Sequence, residues 1–287
     1  MKLPTILLLA GCLASSAETE DKINKRFAVQ SGGTLVVDVD FGSIEVSAKT
    51  GNEVVADVMR KVSRGNKEDE KAYLRQRPVT FSQDGNTITI QSRARSKVHE
   101  SSHGRQRTEG KYTITVPPRF NVQLKTSGGR IALNDLAGEA KLGTSGGAID
   151  VSGGAGSLHG TTSGGSIAIK KFSGPVRIQT SGGGIEVENV TGKLEGSTSG
   201  GSISAKFSSP LSDEVTLKTS GGGVTVRLPE NSAFDLDAST SGGRVSSDLA
   251  MSTTGKTAPN KLKGPVNGGG KPVVLHTSGG SILLKTL

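Results

Sequence analysis

The stretch that decides the fold is Ser166-Ile167-Ala168-Ile169-Lys170-Lys171-Phe172-Ser173-Gly174-Pro175-Val176-Arg177-Ile178-Gln179-Thr180-Ser181-Gly182-Gly183. Ile167 and Ile169 alternate with Ser166 and Ala168, which is the period of a strand. A turn follows through Lys170 to Pro175. Val176, Ile178 and Thr180 then alternate with Arg177 and Gln179, and Ser181-Gly182-Gly183 reverses the chain again. The unit is therefore two short strands and two turns. Glycine at both turns supplies the φ > 0 conformations that other residues resist.

The same unit recurs along the chain. T-S-G-G occurs eight times, with its serine at Ser127, Ser145, Ser163, Ser181, Ser199, Ser220, Ser241 and Ser278. Most units are 18 residues long. Each glycine pair is followed by one residue and then Ile or Val. A single unit cannot bury its apolar side, but stacked units can, each strand pairing in parallel with its equivalent about 4.8 Å away. The expected fold is all-β: a β-solenoid of two-strand coils, with an N-terminal β-rich region carrying one short helix. A thin, repeated seam also accounts for a composition of 32% hydrophobic residues, 41 glycines and no tryptophan among 287 residues, which would otherwise suggest disorder. Thr126, Thr144, Thr162, Thr180 and Thr198 share phase with the buried residues. They should line the inside of a corner and bond backbone. That phase argues against an ice-binding threonine face.

Working outward, residues 119–287 form the repeats, with a mobile loop expected at 251–271. Residues 27–118 form the N-terminal region. Val29 to Val46 reads as a divergent first coil, turning at Phe41-Gly42-Ser43. Asn66 caps a helix running to Arg77, with Glu68-Asp69-Glu70 in its first turn. Val79–Ser82 and Thr87–Gln91 form a hairpin, Ser92–Gly110 a polar loop, and Tyr112–Val116 a strand. Residues 12–26 read as a linker. Residues 1–11 read as a lipoprotein signal peptide, because Leu9-Ala10-Gly11-Cys12 has lipobox form and places Cys12 as the lipid-bearing residue. The alternative is an ordinary secretory signal over residues 1–17. Either way the expected location is the cell envelope, as an outer-membrane lipoprotein or a periplasmic or extracellular protein after export.

The Gly33-Thr34-Leu35 start, the Phe41-Gly42-Ser43-Ile44-Glu45-Val46 segment, the Tyr112–Pro117 strand and the T-S-G-G-x-I repeats together resemble a bacterial envelope family labelled as a candidate adhesin domain of unknown function. The resemblance covers about residues 27–287. It implies the fold and an adhesive role, and carries no catalytic motif.

The chemistry-bearing residues are sparse. One cysteine excludes a disulfide framework and cysteine-based zinc sites. His99 and His103 have i, i+4 spacing but sit in a loop, so no metal is expected. His159 and His276 fall at out-facing strand positions. The glycine turns lack the aspartates of calcium-binding rolls and the lysine of a phosphate loop. No cofactor is implied. Asp150 and Glu186, two coils apart on an outer face, carry the enzymatic alternative, a carbohydrate-active β-helix enzyme. Between Arg60 and Lys111 the net charge is +7 of the chain's +9. Arg93, Arg95, Lys97, Arg105 and Arg107 concentrate there, a candidate site for lipopolysaccharide or acidic envelope polysaccharide. Nucleic acid is not an expected partner, since no aromatics interleave the basic residues. The reading is thus a non-catalytic envelope binding or adhesion module. A scaffold that self-associates through its solenoid ends is the structural alternative.

Overall fold

The computed structural model describes residues 18–64, 66–94, 107–251 and 258–287. The N-terminal region supplies β1 (Thr19–Ala28), β2 (Thr34–Val39), β3 (Ser43–Ala48), β4 (Glu53–Ser63), α1 (Lys67–Gln76), β5 (Thr80–Asp84), β6 (Thr87–Ser92) and β7 (Arg107–Val116). Paired strands then make the coils: β8 (Asn121–Thr126) with β9 (Ile131–Asn134), β10 (Ala137–Thr144) with β11 (Ile149–Ser152), β12 (Ala155–Thr162) with β13 (Ile167–Lys170), and β14 (Val176–Thr180) with β15 (Ile185–Glu188). They continue with β16 (Leu194–Thr198) and β17 (Ile203–Lys206), β18 (Val215–Thr219) and β19 (Val224–Leu228), and β20 (Phe234–Thr240) and β21 (Val245–Ser247). A hairpin strand, β22 (Lys261–Val266), precedes the last pair, β23 (Lys271–Thr277) and β24 (Ile282–Thr286).

Two 12-stranded sheets result, and each coil gives one strand to each sheet. Repeat positions meet in register: Ile149, Ile167, Ile185 and Ile203 form one row, and Leu158, Val176 and Leu194 another. The two inward faces close on one core. Ile167, Ile169, Val176 and Ile178 are all at most 2% exposed. Phe172 and Phe207 are buried at the corners, and Phe234 faces the seam as its phase required. The expected solenoid of two-strand coils is what forms.

The T-S-G-G corner has a specific physical basis. Thr162 Oγ1 donates to the Gly147 carbonyl at 2.9 Å and accepts from the Gly165 amide at 3.3 Å. The hydroxyl thereby ties two coils together and satisfies a buried donor within its own turn. Thr126, Thr144, Thr180, Thr198, Thr219, Thr240 and Thr277 repeat the arrangement. Thr162→Val, which keeps the shape but strands both backbone partners, should cost about 1–2 kcal/mol in urea denaturation. Ser163→Ala, at the exposed neighbour, should stay within about 0.5 kcal/mol.

The reason for the glycine pair differs from the sequence expectation. Neither glycine of these corners takes a positive φ; in the 18-residue coils the positive φ falls to glycines of the opposite turn, among them Gly156, Gly174 and Gly192 at 121°, 120° and 103°. The second glycine of T-S-G-G is required by close stacking. A Cβ on Gly147, Gly165 or Gly183 would lie 1.9–2.1 Å from the carbonyl oxygen of the equivalent glycine one coil away.

Three further expectations are corrected. The supposed linker at 12–26 contains most of β1, which pairs antiparallel with β4 along its whole length. Its polar sequence, with only Ile23 and Phe27 against the core, suits a charged edge strand. The loop at Ser92–Gly110 ends earlier than expected, because Arg107 to Gly110 already belong to β7 and pair with β4. Within 251–271, residues 261–266 form β22, paired antiparallel with β20; residues 252–257 lie outside the described residues.

The largest departure concerns coil order. The final coil in the chain is not the final coil in space. β23 lies between β18 and β20, and β24 lies between β19 and β21. At the other end, the first coil, β2 and β3, likewise sits inside the stack, flanked by β6 and β7 on one side and β8 and β9 on the other.

Candidate functional site

The basic segment begins where β6 ends. Arg93 Nε donates to Asp38 at 2.7 Å, its second nitrogen also binds Asp38, and its third reaches Asp40 at 3.3 Å. The Asp38 hydrogen bond, against some desolvation, holds the guanidinium above its ordinary pKa. Asp40 also accepts from the Ala94 amide at 2.6 Å. Arg93 therefore fastens the start of the segment to β2 and the turn after it, and its charge is compensated. Arg107 pairs with Glu109 at 2.7 Å, both well exposed. Arg95, Lys97 and Arg105, like Cys12, His99 and His103, lie outside the described residues.

α1 docks through polar groups that sequence reasoning did not single out. Asn66 caps the helix by accepting from the Asp69 amide, as its type predicted. Glu70, read only as a helix-start acid, is fully buried. It accepts from Thr19 Oγ1 at 2.6 Å and from the Arg64 amide at 2.9 Å. Burial pushes its carboxyl up, but these bonds and nearby Lys67 outweigh it and leave the group below the usual Glu value. Tyr73 lies between two guanidinium groups, Arg64 at 3.7 Å and Arg77 at 4.0 Å from its ring centre. Arg60, 3% exposed, binds Asp21 and the Arg77 carbonyl. The only hint in the sequence was the density of arginines around a helix that has almost no apolar residues.

The outer face of the first sheet holds a shallow groove of about 590 Å³. Ala132 and Ala168 leave its floor low, and ion pairs stand around it. Lys111 meets Glu45 at 3.3 Å, Arg130 meets Asp150 at 2.6 Å, and Lys170 meets Glu186 at 3.8 Å and Glu188 at 4.0 Å. Each pair joins different strands, so the charges act as rungs across the stack. Asp150 and Glu186 stand in one register row with Ala168 between them, and each faces a cation. The row leaves them two strands apart, as the repeat spacing predicted. His159 and His276 are exposed on the second sheet, His276 within 3.1 Å of Ser239. Among the described residues, no group of three or more His, Cys, Asp or Glu is placed to hold a metal ion.

Comparison with known proteins gives the fold a family. No curated protein matches the sequence. Among solved structures, a candidate adhesin from Parabacteroides merdae is 11% identical, with 93% of this chain and 96% of that one covered at a TM-score of 0.39. A candidate adhesin from Bacteroides fragilis is 12% identical over 93% and 97% of the two chains, with a TM-score of 0.36. A candidate lipid-binding protein from Parabacteroides distasonis is 11% identical over 93% and 97%, with a TM-score of 0.31. The family match spans residues 29–285, from the end of β1 into β24, so that it takes in the first coil, the helix and every T-S-G-G corner: the chain belongs to the Toastrack DUF4097 family.

Proposed function

We propose that this protein is a non-catalytic binding module of the cell envelope, held there by lipid on Cys12, and that its basic segment engages acidic envelope polysaccharide or lipopolysaccharide. The observation that carries the non-catalytic part is the pairing of the outer-face carboxylates. Asp150 and Glu186 each have a cationic neighbour one coil away, which favours exposed, ion-paired carboxylates over an acid and base free to act on a substrate. No helix among the described residues is long and apolar enough to cross a membrane; the lipid attachment is proposed from the lipobox form of Leu9-Ala10-Gly11-Cys12. Because Arg93 already faces Asp38 and Asp40, the polyanion contact falls chiefly to Arg95, Lys97 and Arg105, with the exposed Arg107 beside them.

The test compares the protein with an Arg95→Ser, Lys97→Ser, Arg105→Ser variant on purified lipopolysaccharide and an acidic glycan. Binding should weaken at least tenfold in the variant and fall steeply with salt, since the Debye length shrinks from about 10 Å at 0.1 M to about 3 Å at 1 M. Equal, salt-insensitive binding by both proteins would remove the basic segment from the account. Polysaccharide turnover lost in Asp150→Asn would replace the binding reading with the enzymatic one.

A further inference from the structure

The inserted coil points to a mode of self-association that stands apart from the polyanion reading. β23 and β24 follow β20 and β21 in the chain yet separate them from β18 and β19 in both sheets. Without Lys271–Leu287, two coils would face each other across a gap one coil wide. Each would present unpaired N–H and C=O groups in both sheets, the arrangement that invites another strand.

Everything that seats the coil belongs to the repeat itself. Val273, Leu275, Ile282 and Leu284 are at most 1% exposed. Thr277 Oγ1 donates to the Gly222 carbonyl at 2.6 Å on one side, and Thr240 Oγ1 donates to the Gly280 carbonyl at 2.7 Å on the other. The coil's link to the preceding strand is one tight turn. Asn267, Gly268 and Gly269 take φ of 47°, 93° and 85° there, and Asn267 Nδ2 donates to the Glu230 and Ser232 carbonyls at 2.7 and 2.9 Å. The chain thereby steps over the end of β20, from β22 on one side to β23 on the other.

We propose that this gap is an acceptor for the same coil of a second copy, so that two chains pair by exchanging Lys271–Leu287 about the Asn267–Gly270 turn. Exchange rebuilds every ladder, threonine bond and buried contact of the coil. It changes only the turn, whose left-handed residues are released when it opens. Exchange of an identical element is a low-cost route to a dimer and a known hazard of repeat folds.

Ser239 and His276 stand opposite each other in the β20–β23 ladder, on the exposed face. In a Cys12→Ser background, one full-length chain carries Ser239→Cys and another His276→Cys, and the two are refolded together over a range of concentrations and oxidised. Cysteines on separate chains meet in register only where one chain's coil fills the other's gap. A 239–276 linkage between chains, rising with concentration, is the expected result. Adding Gly268→Ala to both chains should raise the dimer several-fold, because its Cβ meets nothing within 4 Å and strains only the closed turn. Folded monomers at every concentration would overturn the proposal. So would dimers joined only through 239–239 or 276–276.

Discussion

Gly165→Ala is expected to destabilise the protein by about 4 kcal/mol or to prevent folding, while its neighbour Gly164→Ala changes stability by less than about 0.5 kcal/mol. The two differ by one methyl group placed two ways. At Gly165 the new carbon would sit 1.9 Å from the Gly147 carbonyl oxygen and 2.3 Å from its carbon. Both obstacles are backbone, held in place by their own ladders, so relief requires two coils to separate. At Gly164 the nearest atom is 3.6 Å away, an ordinary van der Waals contact. Urea denaturation followed by circular dichroism separates the cases. Equal effects at both positions would mean that the coils do not stack through these corners.

Ile167→Asp should be as severe, about 4–5 kcal/mol or outright unfolding. Ile167 is fully buried in the middle of its row, between Ile149 and Ile185. A carboxylate there would be packed among buried apolar side chains, so its desolvation goes uncompensated. The inward polar groups at this level are threonine hydroxyls already bonded to backbone. Gln179→Ser, on the exposed face of β14, should remain within about 0.5 kcal/mol. The contrast tests which side of each strand faces inward, because a slip of one residue would invert it.

The coils could be read from the chain because two periods coincide there: alternation of two within a strand and eighteen between strands. Residues such as Ile167, Ile178 and Thr180 satisfied both at once. The helix was equally visible, since Asn66 and the acids after it are a local signal that needs no tertiary context. The order of the coils was not visible, for the converse reason. Every coil presents the same corner, so nothing in Thr277-Ser278-Gly279-Gly280 distinguishes the coil of Thr219 from that of Thr240 as its neighbour. β1 was missed because an edge strand buries little, and its alternation of Thr19, Asp21 and Ile23 looks polar throughout. In the candidate site, the cluster of basic residues was plain from composition, but the role of Arg93 was not. Its partners Asp38 and Asp40 lie more than 50 residues earlier and become neighbours only because β2 and β6 pair in parallel. Glu70 was hidden similarly, since its partner Thr19 comes from β1.

The claim on which the architecture rests most heavily is that the coil of Thr277 lies between those of Thr219 and Thr240. Paired cysteines on the exposed side of the second sheet test it in the folded monomer. Lys218 and His276 are register partners, whereas Lys218 and Ser239 are separated by the intervening strand, about 9–10 Å at the usual strand spacing and beyond the Cα separation a disulfide bridges. In a Cys12→Ser background, Lys218→Cys with His276→Cys should oxidise quantitatively within one chain, and Lys218→Cys with Ser239→Cys should stay reduced. A disulfide between positions 218 and 239, with 218 and 276 left reduced, would show coils stacked in chain order and contradict the account.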